Sequence, residues 1–253
     1  MTDLSAFSLE GKRIAVTGAN TGIGQGIAVA IARAGGAVVG IGRSAMDETA
    51  RQVEALGVPF EAVKCDVSDM KASVQMLDDV MAKAPLDGLV NNAGIIRRGP
   101  AVDFREQDWD DVMDVNLKTL FFLCQAYAKN ALAAGRQGRI VNIASMLSFQ
   151  GGIRVASYTV AKHGVVGVTR LLANELAASG INVNAIAPGY IETNNTAVLR
   201  KDPDRSEAIL ARIPAGRWGV PDDIGDAAVF LLAPASNYMH GAVVPVDGGW
   251  LAR

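Results

Sequence analysis

Short runs rich in β-branched residues alternate along the chain with longer segments in which apolar residues recur at every third or fourth position. The short runs are typical of buried strands, and the longer segments are typical of amphipathic helices. Their alternation predicts an α/β fold with a doubly wound, mostly or wholly parallel sheet and helices on both faces. Seven strands are predicted, at Ile14–Thr17, Ala37–Ile41, Phe60–Cys65, Gly88–Val90, Arg139–Ile143, Asn182–Ala187 and Ala242–Val246.

The composition is that of an ordinary globular protein, with 253 residues of which 50% are hydrophobic and 20% are charged. A chain of this length can bury a large core. Because no repeat, low-complexity tract or Pro/Ser-rich linker divides the sequence, we expect a single domain over residues 1–253. The net charge of -2 gives no electrostatic reason to bind nucleic acid or an anionic membrane.

The sequence favours a cytoplasmic protein. No apolar run approaches the roughly 18 residues of a membrane-spanning helix. The start of the chain, Met1-Thr2-Asp3-Leu4, lacks the basic and apolar regions of an export signal. Cys65 and Cys124 form no paired motif and are interpreted as small buried side chains. His163 and His240 are too few and too scattered to indicate a metal site.

A tyrosine and a lysine lie four residues apart, at Tyr158 and Lys162, in a segment whose apolar positions keep helical spacing as far as Leu176. Their side chains should therefore share one face of a helix. An ammonium beside a phenol favours the phenolate and lowers its pKa, which makes Tyr158 a candidate general acid and base. A lysine that extends along a half-buried ring is the commoner reason for such a pair.

A glycine-rich turn joins the first predicted strand to the first predicted helix, with the sequence Thr17-Gly18-Ala19-Asn20-Thr21-Gly22-Ile23-Gly24. Glycines there let the chain turn sharply and let backbone amides approach a pyrophosphate at the positive end of the helix. The spacing, G-x-x-x-G-x-G, departs from the G-x-G-x-x-G of the usual dinucleotide fingerprint. Such turns are also glycine-rich for steric reasons alone.

Several motifs together decide between these alternatives. The glycine-rich turn is followed, in order, by Asn91-Asn92-Ala93-Gly94, Asn116, Ser145, Tyr158 with Lys162, and Pro188-Gly189. In their order and intervals the motifs resemble the short-chain dehydrogenases/reductases over nearly the whole chain. The resemblance implies a Rossmann-type fold, a nicotinamide cofactor, NAD(H) or NADP(H), and a homotetramer. It implies the catalytic residues Asn116, Ser145, Tyr158 and Lys162.

The resemblance also implies a role for each catalytic residue. Ser145 and Tyr158 would polarise a ketone, and Lys162 would lower the pKa of the phenol and bond the nicotinamide ribose. Asn116 would distort a long helix predicted over Glu106–Ala134 and hold a water on a relay to solvent, with a plain interior hydrogen bond as the alternative. Ser145 is not a usual hydrolase nucleophile, because no G-x-S-x-G surrounds it and no histidine is placed as its base.

The cofactor contacts follow from the same resemblance. They are Gly18, Asn20, Thr21, Gly22, Ile23, Gly24, Arg43, Asp66, Val67, Asn92, Ala93, Gly94, Tyr158, Lys162, Pro188, Gly189, Ile191 and Thr193. Asp66 would accept from the adenine amine, although a carboxylate at a strand end could instead cap the next helix. Asn91 is expected to be structural.

The end of the second predicted strand indicates the choice of nicotinamide. An acidic residue there would accept both ribose hydroxyls of NAD, but Gly42 occupies the position and Arg43 follows it. Arg43 favours the 2′-phosphate of NADP(H), with a solvated loop charge as the alternative.

Loops at the carboxyl edge of the predicted sheet, where ligands bind in this architecture, carry the candidate substrate residues. They are Arg97, Arg98, Met146, Gln150, Arg154 and Asn194. Arginines and amides suit an acidic, hydroxylated substrate, although Arg97 and Arg98 could equally be solvated or lie at a subunit contact. The polar residues 194–213 are predicted to form a mobile lid over the substrate.

Four loop regions further resemble one subgroup of the family, which acts on sugar acids. They are Arg97-Arg98, Ser148–Arg154, Ala187–Tyr190 with Thr193–Thr196, and Pro214–Gly219. This likeness implies oxidation of a sugar-acid hydroxyl, or reduction of a 5-keto group in uronate breakdown, and it favours NAD(H). Reduction of 3-oxoacyl groups is the alternative reaction, and a dinucleotide sensor without catalysis is the alternative of another class. The segment Val246–Trp250 resembles a tetramer contact, but it could equally cover the core of its own chain.

Overall fold

Seven strands form one sheet in the computed structural model of the protein, which describes residues 4–253. The strands are β1 (Arg13–Thr17), β2 (Ala37–Gly42), β3 (Phe60–Lys64), β4 (Gly88–Asn91), β5 (Gly138–Ile143), β6 (Ile181–Pro188) and β7 (Val243–Val246). Their order is β3-β2-β1-β4-β5-β6-β7, and every pairing is parallel. The predicted doubly wound sheet is confirmed, and each predicted strand agrees with the observed one to within one residue at either end.

Helices connect the strands. They are α1 (Gly22–Arg33), α2 (Asp47–Glu54), α3 (Met70–Lys83), α4 (Glu106–Met113), α5 (Leu120–Ala133), α6 (Ala156–Leu176), α7 (Ala197–Lys201), α8 (Pro203–Leu210) and α9 (Pro221–Leu232). A π-helical segment, Asp114–Thr119, joins α4 to α5 without a break, so the long predicted helix is confirmed with a distortion in its middle. None of the helices over residues 4–253 is long and apolar enough to cross a bilayer.

Two cores lie on opposite faces of the sheet, because successive side chains of a strand point to opposite sides. In β1, Ala15 packs towards α3, α5 and α6, whereas Ile14 and Val16 pack towards α1 and α9. Leu89 and Val90 of β4 divide in the same way. Burial on both faces explains why the strands have continuous runs of apolar residues.

A polar network crosses the first of these cores. Asn91 Nδ2 donates to Asn142 Oδ1 at 3.0 Å and to Cys124 Sγ at 3.1 Å, and Asn142 Nδ2 donates to Thr169 Oγ1 at 3.0 Å. The network ties β4, β5, α5 and α6 together, which gives Asn91 the structural role expected of it. Burial raises the pKa of the Cys124 thiol to about 12, so this cysteine is inert, as its interpretation as a small core residue implies.

Candidate active site

The carboxyl ends of β1, β4, β5 and β6 meet at one edge of the sheet. Their registers pair Val16 with Val90, Asn91 with Asn142, and Ile143 with Ile186. The segments that follow these strands carry the glycine-rich turn, Asn92–Gly94, Ser145 and Gly189. Parallel topology therefore brings together motifs that are more than 100 residues apart in the chain.

Ser145, Tyr158 and Lys162 form one cluster at this edge. The Tyr158 hydroxyl shares a hydrogen bond with the Ser145 side chain, and the Lys162 Nζ lies 5.6 Å from the centre of the Tyr158 ring. Ser145 follows β5 and caps the short 3-10 turn Met146–Ser148, accepting from the Leu147 amide at 3.1 Å. Both the predicted helix face and the predicted approach of Ser145 to the phenol are therefore present.

Burial dominates the acid–base behaviour of this cluster. It raises the pKa of Tyr158, while the hydrogen bond from Ser145 and the positive charge of Arg98 act in the opposite direction. The predicted lowering of the Tyr158 pKa by Lys162 is wrong, because the pKa is raised and Lys162 is not among the groups that shift it. The Lys162 Nζ instead donates to the Ile143 carbonyl at 2.5 Å. Removal from water also lowers the pKa of the Lys162 ammonium, to about 8.

Asn116 lies fully buried in the π-helical segment. Its Oδ1 accepts from the Ile95 amide at 2.8 Å, and its Nδ2 donates to the Ile95 carbonyl at 2.9 Å. The asparagine thus fixes the loop after β4 with both ends of its amide. The predicted helix distortion is observed, and so is the interior hydrogen bond that was the alternative; the water relay stays a prediction.

The glycine-rich turn has the shape of a pyrophosphate cradle. Gly18 has a φ of +69°, which favours glycine, and a Cβ on Gly24 would lie 2.1 Å from the Gly18 carbonyl oxygen. Thr17 Oγ1 accepts from the amides of Asn92 and Ala93 at 3.0 Å each, which ties the turn to β4. Thr21 gives α1 no side-chain cap, so its first amides are open to an anion such as pyrophosphate.

The end of β2 leaves little room for an acidic side chain. A Cβ on Gly42 would lie 3.2 Å from Asn20 Oδ1, and Asn20 Nδ2 donates to Ser44 Oγ at 2.7 Å. Arg43 is exposed beside this pair and faces Asp66. A basic side chain and two polar neighbours therefore stand where an NAD-selecting carboxylate would be.

Asp66 does not cap a helix. Its Oδ1 accepts from the Ser68 amide at 3.0 Å, and this bond is the main reason that its pKa is lowered. The cap of α3 is Asp69, which accepts from the Ala72 amide at 3.0 Å. The capping alternative for Asp66 is therefore wrong, and the exposed carboxylate, with the half-buried Val67 after it, remains beside Arg43.

The segment after β6 passes over the glycine-rich turn. Gly189 donates its amide to the Val246 carbonyl at 3.0 Å, and the buried Ile191 forms a bridge with Gly219. Thr193 then lies close to the turn, because a Cβ on Gly22 would be 3.3 Å from its methyl carbon. The structure thus brings the predicted contacts of Pro188–Thr193 next to those of Gly18–Gly24.

Three arginines of the predicted substrate set have different surroundings. Arg97 is paired with Asp108 at 3.5 Å and with Asp111 at 3.1 Å, which ties its side chain to α4; its contact with a substrate stays a prediction. Arg98 is exposed and donates to the Asn195 carbonyl at 3.3 Å. Its positive charge acts to lower the pKa of Tyr158. Arg154 is exposed as well and has a φ of 62°.

Comparisons with known proteins agree with this geometry. A family model described as enoyl-(acyl carrier protein) reductase matches residues 18–251. A 2-dehydro-3-deoxy-D-gluconate 5-dehydrogenase of Escherichia coli (strain K12) is 57% identical over 251 residues, which cover 99% of each chain. The chain belongs to the short-chain dehydrogenase/reductase family.

Further members of the short-chain dehydrogenase/reductase family point to the same subgroup. A 2-dehydro-3-deoxy-D-gluconate 5-dehydrogenase of Bacillus subtilis (strain 168) is 53% identical over 249 residues, 98% of each chain. A crystal structure from Agrobacterium tumefaciens, described as a candidate 2-deoxy-D-gluconate 3-dehydrogenase with bound NADP, has a TM-score of 0.95 and 62% identity, and covers 98% of this chain and 99% of its own. The resemblance to the sugar-acid subgroup is therefore confirmed.

Residues 194–213 of this short-chain dehydrogenase/reductase comprise the 3-10 turn Asn194–Thr196, α7 and α8. The far end of the segment packs into a small core of its own, made of Met146, Ile209, Ile213, Trp218 and Trp250. Met146 is buried there, and its contact with a substrate stays a prediction. Trp250 is buried in this core of its own chain, and the tetramer contact of Val246–Trp250 stays a prediction.

Of the remaining substrate candidates, Gln150 is half-buried and Asn194 is exposed, and their contact with a substrate stays a prediction. Sequence reasoning missed Thr17 as the acceptor that joins β1 to β4, and it missed Arg200, which bonds Glu192 and Thr193. A threonine at the end of a strand and an arginine in a polar segment carry no distinctive pattern. Only the fold shows what they contact.

Proposed function

We propose that the protein is an NAD(P)-dependent oxidoreductase that interconverts a secondary alcohol and a ketone on a sugar acid, as a 2-dehydro-3-deoxy-D-gluconate 5-dehydrogenase. The observation that carries the proposal is the hydrogen-bonded Ser145–Tyr158 pair with Lys162 beside it, next to the glycine-rich cradle. The names of the two closely similar relatives support the substrate class.

Ser145 and Tyr158 act on the substrate oxygen in the proposed reaction. A bound nicotinamide supplies or accepts the hydride. In the reducing direction, Ser145 and Tyr158 donate hydrogen bonds to the substrate carbonyl, and the Tyr158 hydroxyl gives its proton to the oxygen as negative charge develops there. Because burial keeps the pKa of Tyr158 high, the phenol carries its proton at neutral pH and is ready to act as the acid.

Arg98 is the side chain that we propose for the substrate carboxylate. It is free of a carboxylate partner among residues 4–253, in contrast to Arg97, and it lies close enough to Tyr158 to influence that residue's pKa. Its bond to the Asn195 carbonyl also places it under the turn that begins residues 194–213. We propose that this segment is a lid on a single domain of residues 1–253, with Gln150, Arg154 and Asn194 at the mouth.

NADP(H) is the nicotinamide that we propose. Arg43, Asn20 and Ser44 form a basic, polar corner at the end of β2, and Gly42 leaves no carboxylate for the ribose hydroxyls. The Agrobacterium tumefaciens structure with bound NADP supports this choice. The subgroup resemblance favours NAD(H) instead, so both cofactors belong in the test.

Reduction of an acyl thioester is the alternative reaction, and the description of the family model speaks for it. Against it, the apolar side chains near Ser145 are occupied in the small core under the lid, and the exposed Arg98 and Arg154 surround the mouth. A steady-state comparison of NADPH and NADH against keto-uronates and 3-oxoacyl thioesters decides between them. We expect turnover of the keto-uronates, and preference for the thioesters would refute the sugar-acid assignment.

A homotetramer is the assembly that we propose, on the family resemblance and on the outer face of α6. There Val160 and Leu171 are 45% and 47% exposed, about three turns apart. Light scattering should give a mass of four chains, and a monomeric mass would refute the assembly.

The cytoplasm is the proposed compartment, because Cys65 and Cys124 are both free thiols.

A further inference from the structure

Arg200 reaches back from α7 to the segment that passes over the glycine-rich turn. Its Nη1 lies 3.3 Å from a Glu192 carboxylate oxygen, and its Nη2 donates to the Thr193 carbonyl at 3.2 Å. The Nε of Arg200 is buried without a hydrogen-bond partner among the described residues. A freely solvated arginine would hydrate that nitrogen, so this side of the guanidinium is held against the segment, although about a third of the side chain is exposed.

Backbone and side-chain hydrogen bonds hold the two ends of the segment that Arg200 contacts. Its near end is fixed by the backbone, since Glu192 donates its amide to the Gly219 carbonyl at 2.8 Å. Its far end turns into the lid, where Thr196 Oγ1 donates to the Ile191 carbonyl at 2.7 Å and accepts from the Thr193 amide at 3.1 Å. Within residues 4–253, Arg200 provides the only side-chain hydrogen bonds from α7 to this segment.

Thr193 is the residue through which this contact reaches the cofactor cradle. Its methyl carbon would be 3.3 Å from a Cβ on Gly22, the first residue of α1, so the two segments touch. A shift of Thr193 by even 1 Å would change the space above the open amides of α1. The position of α7 and the shape of the cradle are therefore linked through one side chain.

We propose that Arg200 is a positioning residue that holds Thr193 against the cofactor cradle and so couples the lid to cofactor binding. The inference rests on the proposed function, because that function identifies the ligand of the cradle as a nicotinamide nucleotide. Coupling between two sites is reciprocal, so a bound cofactor holds α7 in place as firmly as α7 helps to hold the cofactor.

The chemistry of arginine suits this role. Its planar fork offers two parallel donors, which here meet a carboxylate and a carbonyl on consecutive residues, Glu192 and Thr193. A lysine could keep the ion pair with Glu192 but would place a single point of charge between the two acceptors. Arg200→Lys should therefore restore part of what Arg200→Ala loses, which loss of packing alone would not explain.

The test is the dissociation constant of NADPH, measured by fluorescence titration without substrate. We expect Arg200→Ala to raise it roughly three- to tenfold, the effect of losing about one hydrogen bond to a charged group, and Arg200→Lys to lie in between. Lys201→Ala, which changes the next and exposed residue of the same helix, is the matched control and should stay within about twofold of the wild type.

Equal dissociation constants for Arg200→Ala and Lys201→Ala would overturn the proposal. If Arg200→Ala does not fold, Glu192→Gln decides instead: it removes one acceptor charge and should weaken NADPH about two- to threefold, and an unchanged value overturns the proposal. The titration needs no turnover. A wild-type protein that binds NADPH but reduces no sugar acid would therefore contradict the proposed function and leave this inference standing.

Discussion

Lys162 is buried and Tyr158 is half-buried, and the loss of water around them moves their two pKa values in opposite directions. The phenol is raised and the ammonium is lowered, because in each case burial disfavours the charged form. Ser145 and Arg98 pull the phenol back towards ionisation. The chemistry at this residue pair therefore depends on a balance between loss of water and two specific neighbours.

The first prediction concerns the stability of the protein at alkaline pH. The pKa of Lys162 is about 8 in the folded protein, against 10.5 for a lysine in water, so the unfolded chain binds more protons between those two pH values. Stability should therefore rise with pH across that window, by on the order of 1 kcal/mol per pH unit from this one group. The Lys162→Met variant has no ammonium at this position and should not show this rise of stability with pH. The difference in unfolding free energy between wild type and variant should grow in favour of the wild type from pH 7.5 to 9.5.

Urea denaturation at the two pH values measures that difference. Lys129→Met, which removes an exposed lysine on α5, is the control and should show a difference that hardly changes with pH. A flat difference for Lys162→Met as well would mean that the folded pKa of Lys162 is ordinary.

A second prediction concerns Arg43. Arg43→Ala should raise the KM for NADPH about ten- to a hundredfold, because a charge-assisted bond to the 2′-phosphate is lost, and should leave the KM for NADH nearly unchanged. Arg51→Ala, an exposed arginine of α2 that pairs with Glu48, is the control and should affect neither cofactor. Equal effects of Arg43→Ala on both cofactors would reduce Arg43 to a solvated surface charge.

Arg154 allows its side chain to be tested apart from its backbone. It is the one non-glycine residue with a positive φ between residues 4 and 253, and that conformation costs about 1 kcal/mol or more for a residue with a Cβ. Arg154→Gly suits the same backbone while removing the guanidinium, so the melting temperature should hardly fall. The KM for a keto-uronate should rise roughly tenfold if the charge contacts the substrate. An unchanged KM would exclude Arg154 from substrate recognition.

At the scale of single elements, α6 joins the site to the core. Its first turns carry Tyr158 and Lys162, and two turns further on Thr169 accepts from Asn142 of β5 and donates to the Val165 carbonyl at 2.7 Å. Thr159 on the same helix has a buried hydroxyl that lacks a partner in the part of the chain that the structure describes. The two threonines differ in hydrogen bonding while sharing a helix.

This difference predicts opposite outcomes for the same substitution. Thr169→Val should lower the unfolding free energy by about 1–3 kcal/mol, because the buried Asn142 amide loses its acceptor. Thr159→Val removes a buried hydroxyl that makes no bond, so stability should be unchanged or slightly higher. Denaturant titration of both variants measures the two unfolding free energies. Equal losses of unfolding free energy would contradict a stabilising role for the Asn142–Thr169 hydrogen bond.

The strands and the order of the motifs could be predicted from the sequence, because burial on both faces of a parallel sheet leaves continuous apolar runs such as Ile181–Pro188. The spacing of Tyr158 and Lys162 likewise placed both on one helix face. The direction of the Tyr158 pKa could not be predicted, since enclosure by distant segments has no local pattern. The pairing of Arg97 with α4 and the burial of Met146 under the lid depend on the same long-range packing.

At the scale of the whole molecule, the glycine-rich cradle is connected to residues 194–213, the segment that we propose as a lid. The lid is anchored at its far end by the small core around Trp218 and Trp250, and at its near end by Arg98 and Arg200. The first of these arginines is close enough to Tyr158 to lower its pKa, and the second bonds Thr193 next to the glycine-rich turn. Cofactor, lid and proton donor should therefore respond to one another.

The central claim is that the Tyr158 hydroxyl is the proton donor and acceptor of the reaction. Tyr158→Phe keeps the ring beside Lys162 and removes only the oxygen. Rates of NADPH oxidation with a keto-uronate and the dissociation constant of NADPH should be measured on the same preparation. We predict that turnover falls by at least about a thousandfold, within the range for loss of a general acid, while the NADPH dissociation constant changes less than about threefold. Turnover within tenfold of the wild type would contradict the account.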